Sequence, residues 1–141
     1  MNPLISILIP AYQAEKTISR CLDSALSQSC DNYEIVVIDD GSTDSTLSIC
    51  GMYCNNERVR LYTQENKGIA FTRQRLVELA KGRYLQFVDA DDWIEPDMYA
   101  YLLTNALEEQ ADITVCGWYD EFPRRTVPTH CPESALLSQE E

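Results

Sequence analysis

Short runs of aliphatic and β-branched residues alternate along this chain with longer stretches in which apolar residues recur at the helical period. The runs Leu4–Pro10, Tyr33–Asp39, Val59–Thr63 and Tyr84–Val88 predict strands. The first is apolar at both alternating sets of positions, as a strand covered on both faces of a parallel sheet must be. After it, Ile18, Cys21, Leu22, Ala25 and Leu26 share one helical stripe. A second helix is expected from about Asp44 to Tyr53, with Ser42, Thr43 and Asp44 as available caps. A third runs from about Ile69 to Lys81 and stops at Gly82. Pro96 suits the first position of a helix reaching about Gln110, and Ile113–Cys116 is expected as a fifth strand. This alternation predicts an α/β layer architecture around a largely parallel sheet. Beyond Tyr119 the period disappears, and Pro123–Glu141, with three prolines, is expected to be loop.

In open parallel sheets ligands bind beyond the carboxyl ends of the strands, so the residues that follow each apolar run carry the functional information. They are polar here. The first strand ends in Pro10-Ala11-Tyr12, the second in Asp39-Asp40-Gly41-Ser42, and the third leads to Glu65-Asn66-Lys67-Gly68. The fourth runs into Asp89-Ala90-Asp91-Asp92. Either acidic cluster alone could be a solvated turn or a helix cap. Together, aimed by apolar strands at one sheet edge, the five aspartates repel one another by several kcal/mol at intermediate dielectric unless a cation or hydrogen bonds compensate. All-oxygen ligands favour Mg²⁺ or Mn²⁺.

Charge sharpens that reading. The 141 residues include 23 acidic and 11 basic side chains, a formal net charge of −12. Such a field repels polyanions, which excludes nucleic acid as a natural partner and means that a phosphate ligand needs a bridging cation or backbone N–H groups. The six cysteines form no C-x-x-C pair and the one histidine has only Cys131 beside it, so free thiols in a reducing, cytoplasmic setting are expected rather than a zinc site. The longest apolar run falls far short of the ~20 residues that cross a bilayer, which leaves peripheral contact as the expected form of any membrane association.

From about Pro3 to Tyr119 the sequence resembles family 2 glycosyltransferases. The resemblance is carried by Ser6-Ile-Leu-Ile-Pro10-Ala-Tyr12, by Glu34-Ile-Val-Val-Ile-Asp39-Asp40-Gly41-Ser42-Thr43-Asp44, by Asn66-Lys67-Gly68 with Arg73, and by Gly82-Arg83-Tyr84 leading to Asp89-Ala90-Asp91-Asp92. It implies a GT-A (Rossmann-like) three-layer α/β/α fold and hexosyl transfer, with inversion, from a nucleotide-diphosphate sugar, UDP in preference, to a saccharide or lipid-linked acceptor. Pro10, Ala11 and Tyr12 would lie against the base, which would donate to one of the Asp39–Asp40 pair, Asp40 in preference. Asn66, Gly68 and Arg73 would border the donor, although Arg73 stands between Thr72 and Gln74, outside the family's A-R-N context. Asp89-Ala90-Asp91 resembles the DxD motif, in which Asp89 and Ala90 would face the nucleotide-sugar and Asp91, with Asp92, would hold Mn²⁺ or Mg²⁺ on the diphosphate.

The resemblance divides the chain into a donor-binding half, 1–120, and a segment 121–141 that is loop or the start of an acceptor-side half. Glu121, Glu133, Glu140 and Glu141 follow, none in the context of a general base, so the base is left unassigned and the chain alone is expected to bind donor but transfer little. A non-catalytic module of the same fold is the alternative. A phosphate-accepting receiver domain would need a lone acceptor aspartate and a later strand-end lysine, which the pattern does not supply.

Overall fold

A computed structural model describes residues 2–130. These fall into two compact units that divide between Asp97 and Met98.

The first unit is built on a parallel sheet in the order β3-β2-β1-β4, from β1 (Ile5–Ala11), β2 (Tyr33–Asp39), β3 (Val59–Thr63) and β4 (Tyr84–Phe87). Every residue of β1 and β2 is buried, which is why these two read as unbroken apolar runs. Their register pairs Ile5 with Tyr33 through Ala11 with Asp39, so Tyr12 and Asp40 leave the sheet side by side. β4 pairs with β1 on its other edge, from Ile5 opposite Tyr84 to Leu8 opposite Phe87.

Three helices flank this sheet: α1 (Ile18–Leu26), α2 (Thr46–Met52) and α3 (Ile69–Leu79), with a short 3-10 turn at Tyr53–Asn55 after α2. Helix α3 lies against β1 and β2, where Leu76 joins Leu8, Val36 and Ile38 in a fully buried cluster. Side chains of alternate parity in the same strands, Ile7, Ile9, Ile35 and Val37, are buried on the opposite face. There α2 packs on β2 and β3, and α1 packs on α2. At the amino ends of the strands Glu34 ties the layers together. It accepts from Ser6 Oγ at 2.7 Å, from Arg60 at 2.7 Å and from the Lys81 N–H at 2.7 Å.

The second unit holds helix α4 (Met98–Glu108) and an antiparallel pair, β5 (Trp118–Phe122) and β6 (Arg125–Thr129). The expected strand Ile113–Cys116 is absent; those residues have no regular structure, and Ile113 is 81% exposed. A β-branched run becomes a strand only with a neighbour to share its hydrogen bonds, and none of the described strands pairs with it. Conversely, the pattern is expected to end at Tyr119 and Pro123–Glu141 to be loop, yet residues 118–129 form a hairpin closed at Pro123-Arg124. Its second proline, Pro128, sits opposite Tyr119 in a two-stranded ribbon, where each strand is an edge and a missing N–H is tolerated.

Candidate nucleotide-sugar site

At the carboxyl ends of β1, β2 and β4 the chain encloses an open cleft of about 490 Å³. Its walls include Pro10, Ala11, Tyr12, Asp40, Asn66, Gly68, Arg73, Asp89, Ala90 and Asp91, ten of the residues singled out from the sequence. Tyr12 is half exposed, presenting an aromatic face at the rim.

The wall that carries Tyr12 is stitched to the turn after β2. Gln13 takes a positive φ of 50°, its N–H donates to Ser42 Oγ (3.0 Å), and its carboxamide oxygen accepts from the Thr43 and Asp44 N–H groups at 2.8 and 3.2 Å. The Ala14 N–H donates to Thr46 Oγ1 and the Ser45 N–H donates to the Glu15 carboxylate, so the β1–α1 loop is bonded directly to the residues that open α2. Gly41 allows the turn itself: its φ is +72°, and a Cβ there would lie 2.7 Å from the Asn66 backbone nitrogen.

Asp40 is buried and heavily bonded. Its Oδ1 accepts from Gln64 Nε2 at 2.6 Å and the Lys67 N–H at 2.9 Å, and its Oδ2 from the Gly68 N–H at 2.9 Å. Burial pushes its pKa up, but the bonds from Gln64, Lys67 and Gly68, with Thr72 beside them, outweigh that and hold it below the ordinary aspartate value. Asp40 is therefore a fixed anion. Its neighbour Asp39 is not among the residues that line the cleft: Oδ2 accepts from the Ser42 N–H (3.2 Å), while Oδ1 is buried with no hydrogen-bond partner.

The opposite wall is the acidic loop after β4. Arg73 reaches from α3 to donate to Asp89 Oδ1 at 2.7 Å, with both side chains nearly half exposed, and its guanidinium lies 5.5 Å from the Phe87 ring centroid. Asp92 lies outside the cleft lining, and its pKa is raised by partial burial and then by Asp91 and Asp89, with Arg20 opposing. Beneath the loop, Cys21 Sγ approaches the Asp89 carbonyl at 3.5 Å; burial and then Asp92 push its thiol up to about 12.

Among the described residues no three histidine, cysteine or carboxylate side chains are grouped so as to hold a metal by themselves. The donor set nevertheless fits a hard divalent cation, because Mg²⁺ and Mn²⁺ sites commonly use one or two carboxylates and take their other ligands from water and substrate phosphate. Glu133, Glu140 and Glu141 lie outside the described residues.

Sequence reasoning missed Gln64 and Arg75, and missed Gln13 and Thr72 as cleft residues. Gln64 was findable, since it is the first polar side chain after β3. Arg75 was not, because nothing in a helical arginine's spacing shows that it turns back toward a strand end.

The profile of the glycosyl transferase family 2 matches residues 6–138. The chain belongs to that family. A chondroitin synthase of Escherichia coli is 48% identical over 96 residues, covering 67% of this chain and 14% of that protein. The crystal structure of Staphylococcus aureus TarS 1-349 in complex with UDP-GlcNAc matches with a TM-score of 0.80 at 29% identity, over 89% of this chain and 37% of that one. The mannosyltransferase PcManGT from Pyrobaculum calidifontis, in complex with GDP-Man and Mn²⁺, matches with a TM-score of 0.66 at 27% identity, over 83% and 35% of the two chains. The chain thus spans under half the length of the curated relatives it matches. As a family 2 glycosyltransferase it has the GT-A fold, with a central, mainly parallel sheet between helices. No helix among the described residues is long and apolar enough to cross a membrane.

Proposed function

We propose that the cleft binds the nucleotide of a sugar donor, a UDP-sugar, and that the enzyme moves the sugar, with inversion, to a saccharide or lipid-linked acceptor. The observation that carries this is the opposition of two walls around one cleft: an aromatic face with a fixed, buried anion, Tyr12 and Asp40, against the acidic loop Asp89–Asp92. A base can lie on Tyr12 and donate an N–H to Asp40. The diphosphate then falls toward carboxylates that repel it, in a chain of net charge −12. Asp91, with Asp92 beside it, would hold Mn²⁺ or Mg²⁺ there, and such an ion supplies Lewis-acid stabilisation to the departing diphosphate.

The residues of this chain perform the binding and orienting part of the reaction. Asp89, tethered to Arg73, sets the position of the acidic loop, and Asp40 sets the register of the nucleoside. Transfer forms a bond from an acceptor hydroxyl oxygen to the anomeric carbon and breaks the bond to the diphosphate; inversion requires a base for the hydroxyl proton, a role assigned to no residue here. A cytoplasmic setting with peripheral membrane contact belongs to the same proposal.

Calorimetry tests it. Asp91→Ala is expected to abolish the Mn²⁺-dependent increment in UDP affinity while leaving metal-free UMP binding intact, because Asp91 is an exposed loop residue. Asp40→Ala is expected to weaken UMP binding with or without metal. Equal UDP affinity of wild type and Asp91→Ala in Mn²⁺, and again in EDTA, would remove Asp91 from the site.

A further inference from the structure

The acceptor capacity of Asp40 is nearly exhausted, and what remains selects a base. A carboxylate offers about four lone-pair positions, two on each oxygen. Oδ1 is filled by Gln64 Nε2 and the Lys67 N–H, and Oδ2 takes the Gly68 N–H. The Thr72 hydroxyl lies close enough to help hold the Asp40 pKa down, but its one proton is directed to the Gly68 carbonyl at 3.0 Å, so it does not fill a position of the carboxylate outright. One position stays open, on Oδ2.

The filling of Oδ1 depends on how the Gln64 amide is turned. Arg75 Nη1 donates to Gln64 Oε1 at 2.7 Å, and a guanidinium has no acceptor, so the amide oxygen must face Arg75. The NH₂ group is thereby directed to Asp40 at 2.6 Å and to Thr72 Oγ1 at 3.0 Å, which uses both of its protons.

We infer that Arg75 and Gln64 are positioning residues that make the site selective for a base presenting a single N–H, uracil or thymine, over guanine. This rests on the proposal that Asp40 meets the base. Guanine presents two adjacent donors, its ring N–H and its amino group, which pair with a carboxylate through both oxygens; here the second oxygen is saturated, and the amino group is left unpaired in a desolvated site. Cytosine and adenine place a bare ring nitrogen where uracil has its N–H, and can donate to the anion only from an exocyclic amino group displaced from that point. Uracil needs one acceptor, the number available.

The experiment compares UMP and GMP affinities, without metal, in wild type, Arg75→Met, Gln64→Leu and Arg75→Lys, each checked for a cooperative melt. Wild type is expected to favour UMP by about tenfold or more, the cost of one buried donor left unmade. Arg75→Met releases the amide and Gln64→Leu removes it, so both should cut the UMP:GMP ratio by roughly tenfold, whereas Arg75→Lys, still a donor to Gln64 Oε1, should keep it. Gln64→Leu removes a donor to the Asp40 anion and Arg75→Met frees that donor to swing away, so the acid limb of UMP binding should move to higher pH, most in Gln64→Leu, which a purely structural role would not cause. A ratio unmoved in two folded variants, while Asp40→Ala still abolishes UMP binding, overturns the relay and leaves the site reading standing. Wild type that binds UMP and GMP equally overturns the selectivity, and wild type that binds neither overturns the site reading together with the relay.

Discussion

Cys21 and Cys50 lie on facing helices between the sheet and the solvent, and burial pushes both thiols up to about 12, with Asp92 adding to the effect at Cys21 and Asp39 at Cys50. Protonated thiols are poor nucleophiles, so native alkylation near pH 8 should modify exposed Cys54 first and leave Cys21 and Cys50 until the chain unfolds. Peptide mass spectrometry would read the order. The raised values also bear on stability. The stabilisation of the neutral form is complete below the ordinary thiol value of 9.0 and is lost as pH rises from there toward about 12, so melting temperature should fall across that window. Replacing both with alanine should flatten the fall. Gly41 supplies a second test: Gly41→Ala puts a Cβ against the Asn66 backbone at a left-handed φ, costing more than about 1 kcal/mol and displacing the turn that carries Asp40. Thermal melts should show the loss, and UMP affinity should drop with it.

Residues of this kind set how much could be read in advance. Asp40, Asp89 and Asp91 were legible because a parallel sheet sends strand ends to its binding edge, and polar residues directly after apolar runs have few other reasons to be there. Within the Asp39–Asp40 pair the preference for Asp40 came from the resemblance alone; spacing could not supply it, because adjacent residues on an extended chain point to opposite sides, and which side holds the cleft depends on where α3 packs.

Among elements, α2 shows how loops support the site. Its N-cap residue Ser45 makes no side-chain cap bond, and the helix begins at Thr46, later than the sequence suggested. Ser42 and Thr43 are engaged with the neighbouring loop, where Gln13 accepts from the Thr43 and Asp44 N–H groups, while Asp44 serves both sides: Oδ2 accepts from the Glu15 N–H and Oδ1 from the Thr46 N–H at 3.0 Å, so the helix is capped from Asp44 and starts at Thr46. Gln13→Ala therefore strips partners from two backbone donors at once. It should cost about 1 kcal/mol of stability, the scale of a lost cap, and loosen the loop that carries Tyr12. Denaturant melts and UMP titration would measure the two effects separately. Of the strands that read correctly, β1 and β2 are buried on both faces and β3 and β4 are part-buried; the missed hairpin β5–β6 is exposed along almost its whole length and had no buried face to impose a period.

For the whole molecule, the acidic field decides how the ligand responds to salt. An anionic nucleotide approaching a chain of net charge −12 without a divalent ion meets repulsion that added NaCl screens. Metal-free UDP affinity should therefore rise, or at least hold, between low and high NaCl, the reverse of a protein that grips phosphate with a basic surface. Calorimetry across a salt series would detect it. A steep loss of affinity with salt would mean that local cations such as Arg73 outweigh the overall field.

The strand order β3-β2-β1-β4 also has a consequence in time. A chain emerging from its amino end lays down β1, β2 and β3 as successive neighbours, and with the start of α3 it has already brought Tyr12, Asp40, Gln64 and Gly68 to one edge. The acidic loop arrives only when the chain doubles back across β1 to add β4, a contact of long sequence separation and therefore a slow one. During refolding, the ability to hold a nucleoside should appear before the ability to hold a diphosphate, and a stopped-flow experiment with UMP and with UDP plus Mn²⁺ would see the two arrive as separate phases.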